Sequence, residues 1–314
     1  GGASPADSWD ARGHAGLFMT VAAAGAVFDT LTEVTADGLL KGELATGWEA
    51  SADARVWTVT LREGVTFHDG TPFAAEDVIG SLALHLDADR PSPARPLVEG
   101  IAEMKPLGRH RLRITLKRPN PDLPYLLADP RLLIYPAGRI AEAMENGIGT
   151  GLYRVARFEP GRRFLGTRVA RHYKDGEAGW FEEVEILALN EPEARMRALV
   201  RDRVDVIGDV DPARLPGLAA NRRVKPFEAR GNRVLGFAMR TNVAPFDNPH
   251  VRRALKHAVD REALLAEVLR GQGSLANDHL IGPANPCLAE DLPQTAYDPE
   301  AAHAYLRRAG LERL

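Results

Sequence analysis

The sequence predicts an α/β fold, and three observations carry that reading. Segments that alternate apolar and polar residues recur along the chain, apolar stripes at helical spacing stand between them, and Gly, Pro, Asn and Asp mark the joints. Alternation of strand and helix in this order implies crossover connections within the sheet. At 314 residues, 45% hydrophobic and 26% charged, the chain has ordinary globular composition and length enough for two domains.

The small, apolar run "LFMTVAAAGAVFDTLTEV" predicts a helix from about Met19 to Leu31 that turns into a strand. Further on, Trp57, Val59 and Leu61 alternate with Val56, Thr58 and Thr60, the pattern of a half-buried strand. "FAAEDVIGSLALHL" follows Thr71-Pro72 and places Val78, Leu82 and Leu84 on one side of a helix. "RPSPARP" is a proline-broken loop, and "HRLRITLKRP" alternates Leu112, Ile114 and Leu116 with basic residues, a strand with one wet face. Proline-rich "NPDLPYLLADPRLLIYP" leads to a short helix, "GRIAEAMEN", capped by Asn146 and Gly147.

Gly147, Gly149 and Gly151 come next, at the alternate spacing a phosphate loop uses. Such a loop needs a strand feeding it and a helix N-terminus leaving it. Here a helix feeds it and "LYRVARF" leaves it, with Leu152, Val155 and Phe158 among β-formers. Glu159-Pro160-Gly161-Arg162 then suits a type II turn, and "RFLGTRV" is the return strand. The glycines therefore open a β-hairpin and hold no cofactor.

Beyond the hairpin, "FEEVEILAL" predicts a strand and "EPEARMRALVRDR" a helix with Met196, Leu199 and Val200 on one side. "VDVIGDV" reads as a short buried strand, "DPARLPGL" as a helical start and "RVLGFAMRTN" as another strand. The strongest helix signal is "DNPHVRRALKHAVDREALLAEVLRGQG". Asp247 or Asn248 caps it, Pro249 suits the first position, and Val251, Ala254, Leu255, Ala258 and Val259 line one face. Asp260 caps a second helix carrying Leu264, Leu265, Val268 and Leu269, which Gly271 ends.

Several function classes are disfavoured. A formal charge of -3 argues against a nucleic-acid partner. No apolar run is long enough to span a membrane. The single Cys287, read as a buried thiol, excludes an internal disulfide and any multi-cysteine metal site. His68-Asp69 is turn chemistry before Gly70, and His250, His257 and His279 lack metal-ligand spacing. No G-x-S-x-G elbow supplies a nucleophile. The expectation is a protein with no catalytic residues, no metal and no cofactor.

Five segments in order resemble the extracellular solute-binding proteins of the peptide/nickel family (family 5), which deliver ligand to ABC importers. They are "GELATGWEASADARVWTVTLREGVTFHDGTPFAAEDV" (42–78), "GTGLYRVARFEPGRRFLGTRVARHY" (149–173), "RVDVIGDV" (203–210), "APFDNPHVRRALKHAVDREALLAEVLRGQG" (244–273) and "YDPEAAHAYLRRAG" (297–310). The resemblance implies a two-lobed, periplasmic-binding-protein-like α/β fold of the class II type with an inserted subdomain. It sets the first lobe at 1–32 and 148–230, the inserted subdomain at 33–147 and an incomplete second lobe at 231–314. Family members begin with a secretion signal and a first strand and continue past the position of Leu314, so the C-terminal part of the fold is expected to be missing. In such proteins the Gly149–Tyr153 stretch returns the chain from the subdomain to the first lobe.

The implied mechanism is a clamshell: two lobes close on a solute that touches both, and a membrane permease reads the closed form. The lobe crossing is expected near Arg230-Gly231-Asn232. Ligand contacts are expected from Gly16, Leu17, Phe18 and Met19 in the first lobe and from Phe237, Ala238 and Met239 in the second. The polar cluster Asn277, Asp278 and His279 is a further candidate for the cleft. An apolar wall of this kind suits a short peptide held through backbone hydrogen bonds. The expected partners are that ligand and an ABC permease of the inner membrane; the protein itself is expected to be a periplasmic (or extracellular, membrane-anchored) monomer. A sensory receptor domain would share the clamshell, whereas a hydrolase would need a nucleophile–base pair the sequence does not offer.

Overall fold

A computed structural model describes residues 2–228, 233–282, 288–289 and 291–311. The expected lobe crossing at Arg230-Gly231-Asn232 and the thiol of Cys287 lie outside the described residues. The chain divides into two compact units, one of Gly1–Thr35 and Leu39–Asp205, the other of Ala36–Gly38 and Val206–Leu314.

The first unit has two cores. One lies against a four-stranded antiparallel sheet of β3 (Ala45–Ala50), β4 (Val56–Leu61), β5 (Ile101–Gly108) and β6 (Arg111–Leu116), in the order β3-β4-β6-β5. Trp57, Val59 and Leu61 of β4 and Leu112, Ile114 and Leu116 of β6 are buried, as their alternation requires. Helix α2 (Ala75–Leu84) adds Val78 and Leu82 to the same core. Its Asp77 carboxylate accepts from the backbone N–H of Ala74 (2.8 Å) and of Ala137 (2.7 Å), fastening the helix start to the chain sixty residues on. Two short helices, α3 (Arg95–Val98) and α4 (Leu123–Leu126), occupy the proline-rich stretches. A void of about 10 Å³ beside Trp57 and Leu123 has room for one water at most.

The second core holds Trp9, Phe18, Met19, Phe28, Tyr135 and Phe164. Trp9 lies 4.4 Å from Phe158 and 5.7 Å from Phe164, centroid to centroid, and its carbonyl accepts from the Tyr135 hydroxyl at 2.7 Å. Running through this core is a helix that starts in α geometry, α1 (Leu17–Met19), and continues as π turns over Thr20–Val27. A two-stranded ladder, β1 (Thr32–Val34) with β2 (Leu40–Gly42), follows it.

Helix α5 (Ile140–Asn146) ends on Gly147 in the left-handed region (φ 70°, ψ 51°). The chain then passes Gly149 and Gly151 into β7 (Tyr153–Glu159), turns, and returns as β8 (Arg163–Arg168) beside β9 (Glu183–Leu187). The turn is the expected one: Gly161 has φ 68° and the Arg162 N–H donates to the Glu159 carbonyl at 3.0 Å. Gly149 and Gly151 are glycine because backbone meets backbone here. A Cβ on Gly149 would sit 2.0 Å from the Val27 oxygen, and one on Gly151 would sit 2.4 Å from the Ala26 oxygen. The Gly151 N–H donates to Val27 at 2.9 Å, so it is spent inside the fold. Helix α6 (Pro192–Val200) closes the unit; it buries Ala198, while Val200 is exposed.

The second unit is helical among the described residues: α7 (Leu215–Ala219), α8 (Pro249–Ala258), α9 (Arg261–Glu267) and α10 (Pro299–Arg308). Asn248 caps α8 through the His250 N–H, Asp260 caps α9 through Ala263, and Asp298 caps α10 through Ala301. Val251 and Ala254 of α8 are buried with Ala302 and Leu306 of α10. Ala258, expected on the apolar face, is exposed at the helix end.

One expectation is met in part and two are corrected. Every ladder among the described residues is antiparallel, yet a helical crossover is present: the chain leaves β4 through α2 and α3 and enters β5, which runs parallel to β4 on the far side of β6. "VDVIGDV" and "RVLGFAMRTN" form no strand, and Val206 (83% exposed) and Phe237 (80%) stand in solvent. A strand needs a neighbour for its N–H and C=O groups, and the described residues of this unit supply none.

Gly149→Ala and Gly151→Ala should each lower stability by roughly 1–3 kcal/mol or more, since the obstructing atoms are main-chain carbonyls; urea unfolding measures it. His85, wholly buried at the end of α2, accepts from or donates to the Ser92 hydroxyl at 2.6 Å, and burial, with Arg12 nearby, pushes its imidazole down to about 4. The fold therefore favours neutral His85. Its contribution is complete above the ordinary histidine value of about 6.5 and fades as pH falls toward 4, by up to about 3 kcal/mol. Unfolding midpoints should drop over that window, and His85→Asn should flatten the drop.

Candidate ligand-binding segments

The first candidate segment opens α1. Gly16 has extended geometry (φ −122°, ψ 159°), and a Cβ there would lie 1.9 Å from the Gly2 oxygen. Leu17 is 51% exposed, and Val21, one turn on, is 43% exposed. Phe18 and Met19 point the other way, into the aromatic core, with Phe18 stacked 6.5 Å from Phe158. The physical reason is helical spacing: Leu17 and Val21 share a face, and Phe18 and Met19 fall on the opposite one. Gly16 and Leu17 are thus the members of the quartet available to a solute, with Val21 an addition that the pattern i, i+4 could have flagged.

Phe237 and Ala238 are exposed and Met239 is half-buried, all three in irregular chain of the second unit. Asn277, Asp278 and His279 come together as a side-chain lock. The Asn277 amide donates to the Leu292 carbonyl at 3.1 Å and accepts from the Asp278 N–H at 2.7 Å. Arg261 donates to Asp278 at 2.6 Å, Lys256 lies 3.4 Å away, and the Thr295 hydroxyl donates to the same carboxylate. Burial alone would raise the Asp278 carboxyl, but Thr295, Lys256 and Arg261 outweigh it and hold it below the usual range. His279 accepts from the Ile281 N–H at 3.2 Å. These polar groups are committed to their own loop.

A cluster that sequence reasoning did not find sits where the π turns end. Asp29, 5% exposed, accepts from the Thr150 hydroxyl at 2.9 Å, and His172 Nε2 lies 3.7 Å from it. His172 Nδ1 accepts from the Lys174 N–H (3.1 Å), so Nε2 carries the proton and donates to the Thr150 carbonyl (3.0 Å). Lys174 reaches Glu33 at 3.2 Å and also Glu43, whose carboxylate accepts from the Thr30 N–H at 3.2 Å. Arg62 caps the group, 4.4 Å above the Tyr173 ring. Burial would raise the Asp29 carboxyl; the nearby His172 ring, with Lys174 and the Thr150 hydroxyl, reverses this and lowers it. His68 grips the same glycine stretch from another side, with Nε2 at 2.8 Å from the Gly151 oxygen. His68 and His172 therefore engage carbonyls of the glycine turn, a structural task. The available signal was modest: acids in the apolar "VFDTLTEV" and an isolated "RHYK" after a strand.

Among the described residues, no group of three or more His, Cys, Asp and Glu is placed to hold a metal ion. No helix among them is long and apolar enough to cross a membrane. Helices, antiparallel sheets and this glycine return then meet one decisive comparison: residues 40–314 match the bacterial extracellular solute-binding proteins, family 5 Middle. The chain belongs to that family. It is 28% identical to the dipeptide-binding protein of Escherichia coli (strain K12) over 301 residues, 86% of this chain and 55% of that one. With the di/tripeptide-binding protein 1 of Pseudomonas aeruginosa (strain UCBPP-PA14) it shares 30% identity, covering 92% of this chain and 59% of the relative. Among solved structures, the PBP AgaA of A. tumefaciens R10 in complex with agropinic acid matches with TM-score 0.76 at 25% identity, covering 99% of this chain and 63% of that one. HbpA2 from Haemophilus parasuis, at 22% identity, shows the same fold with TM-score 0.79. The family 5 fold is thus the two-lobed periplasmic-binding-protein type, and this chain spans little more than half the length of the curated relatives it matches.

Removing one member of the buried cluster should be costly. Asp29→Ala strands the buried Thr150 hydroxyl and removes the carboxylate beside His172, while Lys174 keeps Glu33 and Glu43; a loss of about 1–3 kcal/mol in urea unfolding is expected, with Asp29→Asn losing less.

Proposed function

We propose that this chain is the solute-capturing body of an ABC importer's binding protein, that its solute is a short peptide, and that it acts in the periplasm or at the cell surface. The observation that carries this is the family match over residues 40–314, joined to relatives named for dipeptides and di/tripeptides. Other relatives are named for nickel, heme and glutathione, so the solute class is the part most in need of test. The mechanism is closure of two lobes around the solute without covalent chemistry, the closed form being favoured by contacts made only there. A membrane permease then receives the solute.

The proposed lobes are 1–32 with 148–230, and 231–314, with 33–147 as the inserted subdomain. The two separate cores of the first unit support a division of this kind, although Leu133, Tyr135 and Ala143 of the inserted segment pack into the second core. One is built around β3–β6 and α2, and the other around Trp9, the π turns and β7–β8. Gly16, Leu17 and Val21 are the proposed first-lobe contacts, and Phe237, Ala238 and Met239 the second-lobe ones. Large apolar side chains held in solvent suit a ligand with side chains of its own.

Two measurements test this. Mass spectrometry of solute carried through purification should find short peptides; a saccharide, an opine or a metal chelate in their place would refute the peptide reading. In a thermal-shift series, saturating di- and tripeptides should stabilise by about 2.7 kcal/mol at a hundredfold excess over Kd. Leu17→Asp should weaken that response about tenfold while leaving the unliganded Tm unchanged, because Leu17 is half in solvent already.

A further inference from the structure

Helices α8 and α10 pack antiparallel through Val251, Ala254, Ala302 and Leu306, with the Asp298 N–H donating to the His257 carbonyl at 2.9 Å. Alongside that contact runs a second stripe. His250, Arg253 and His257 stand at i, i+3 and i+7 on α8, facing Tyr305 and Arg308 of α10. The Tyr305 ring lies 6.1 Å from the His250 ring and 5.7 Å from the His257 ring, near parallel to both. The guanidiniums of Arg253 and Arg308 lie 6.0 and 5.3 Å from its centroid. One aromatic ring is thus ringed by two guanidiniums and two imidazoles.

The neighbouring charges do not answer these cations. Asp278 is taken by Lys256 and Arg261, and Asp298 caps the start of α10. Among the described residues neither Arg253 nor Arg308 has an ion-pair partner, and both are exposed. A cation in the last turn of a helix is explained by the helix dipole, which covers Arg308. Arg253 is in mid-helix and has no such reason to be there.

We infer that this stripe is a docking surface for an acidic segment of a partner protein. Guanidinium forks bind carboxylates bidentately, and the ring between them offers a flat apolar floor to the rest of a peptide. From His250 to His257 the stripe runs about 10 Å at the helical rise, the length of roughly three extended residues. That is a peptide-sized stripe, narrower than the broad basic face a lipid surface engages. The inference stands apart from the identity of the imported solute.

The test is fluorescence anisotropy of a labelled hexaglutamate peptide against the whole chain at low salt. Arg253→Glu with Arg308→Glu should weaken binding about tenfold or more, as should 0.5 M NaCl. Arg111→Glu with Arg113→Glu, exposed on β6, should leave it unchanged. The β6 variant should melt with the parent, and the Arg253/Arg308 variant should stay folded with its midpoint lowered by no more than a few degrees, the cost of losing the helix-end cation and the contacts to Tyr305. Absence of binding, or equal loss in the β6 variant, would overturn the inference. So would displacement of the peptide by inorganic phosphate at matched charge, or arginine-dependent binding to phosphatidylglycerol vesicles without binding to the peptide.

Discussion

Gly149 and Gly151 lie with their main chain directly on that of Ala26 and Val27, and the first unit depends on that approach. No side chain larger than hydrogen fits between them. Once the backbones touch, the Gly151 N–H closes onto the Val27 carbonyl, and the end of the π-helical segment gains a partner outside its own helix. The hairpin β7–β8 then begins at a fixed height, which seats Tyr153 and Phe164 against Trp9 and Phe28. The exposed face of Leu17 and Val21 is presented by the same helix, so the site proposed for the solute inherits its position from a glycine contact about 130 residues away in sequence.

Polar side chains fasten this junction where apolar packing cannot. Thr150 sits between the two glycines, and its hydroxyl and carbonyl are engaged by Asp29 and His172. Asp29 is the first residue past the Phe28 turn, so helix end, glycine return and the "HYK" segment share one buried knot. A carboxylate so deeply buried persists because donors surround it. The neutral tautomer of His172 is fixed by the Lys174 N–H, so the knot has a defined proton arrangement.

Much of this was legible in the residues. The strands at 56–61 and 111–116, the capped helices at 249 and 261, and the type II turn at Gly161 follow from local periodicity and turn chemistry, which act over a few residues. The helix near Met19 was visible as an apolar run, but not its π geometry nor its end at Val27, four residues before the expected Leu31. The segments 204–210 and 233–242 have strand-forming residues without a ladder, because pairing is a property of two segments and periodicity describes one. Among the proposed contacts, the family resemblance located the 16–19 segment, while only the helix phase separates Leu17 from Phe18 and Met19. The Asp29 knot draws its members from 29, 43, 150, 172 and 174, and no local pattern announces such a gathering.

The most direct test of the glycine junction is native-state hydrogen exchange at the Gly151 amide. If the backbone contact organises the first unit, this amide should exchange only through global unfolding, as slowly as the amides of β4 and β6. Exchange at the rate of an open surface loop would show that the glycines do not hold the helix end, and the account would fail at its base.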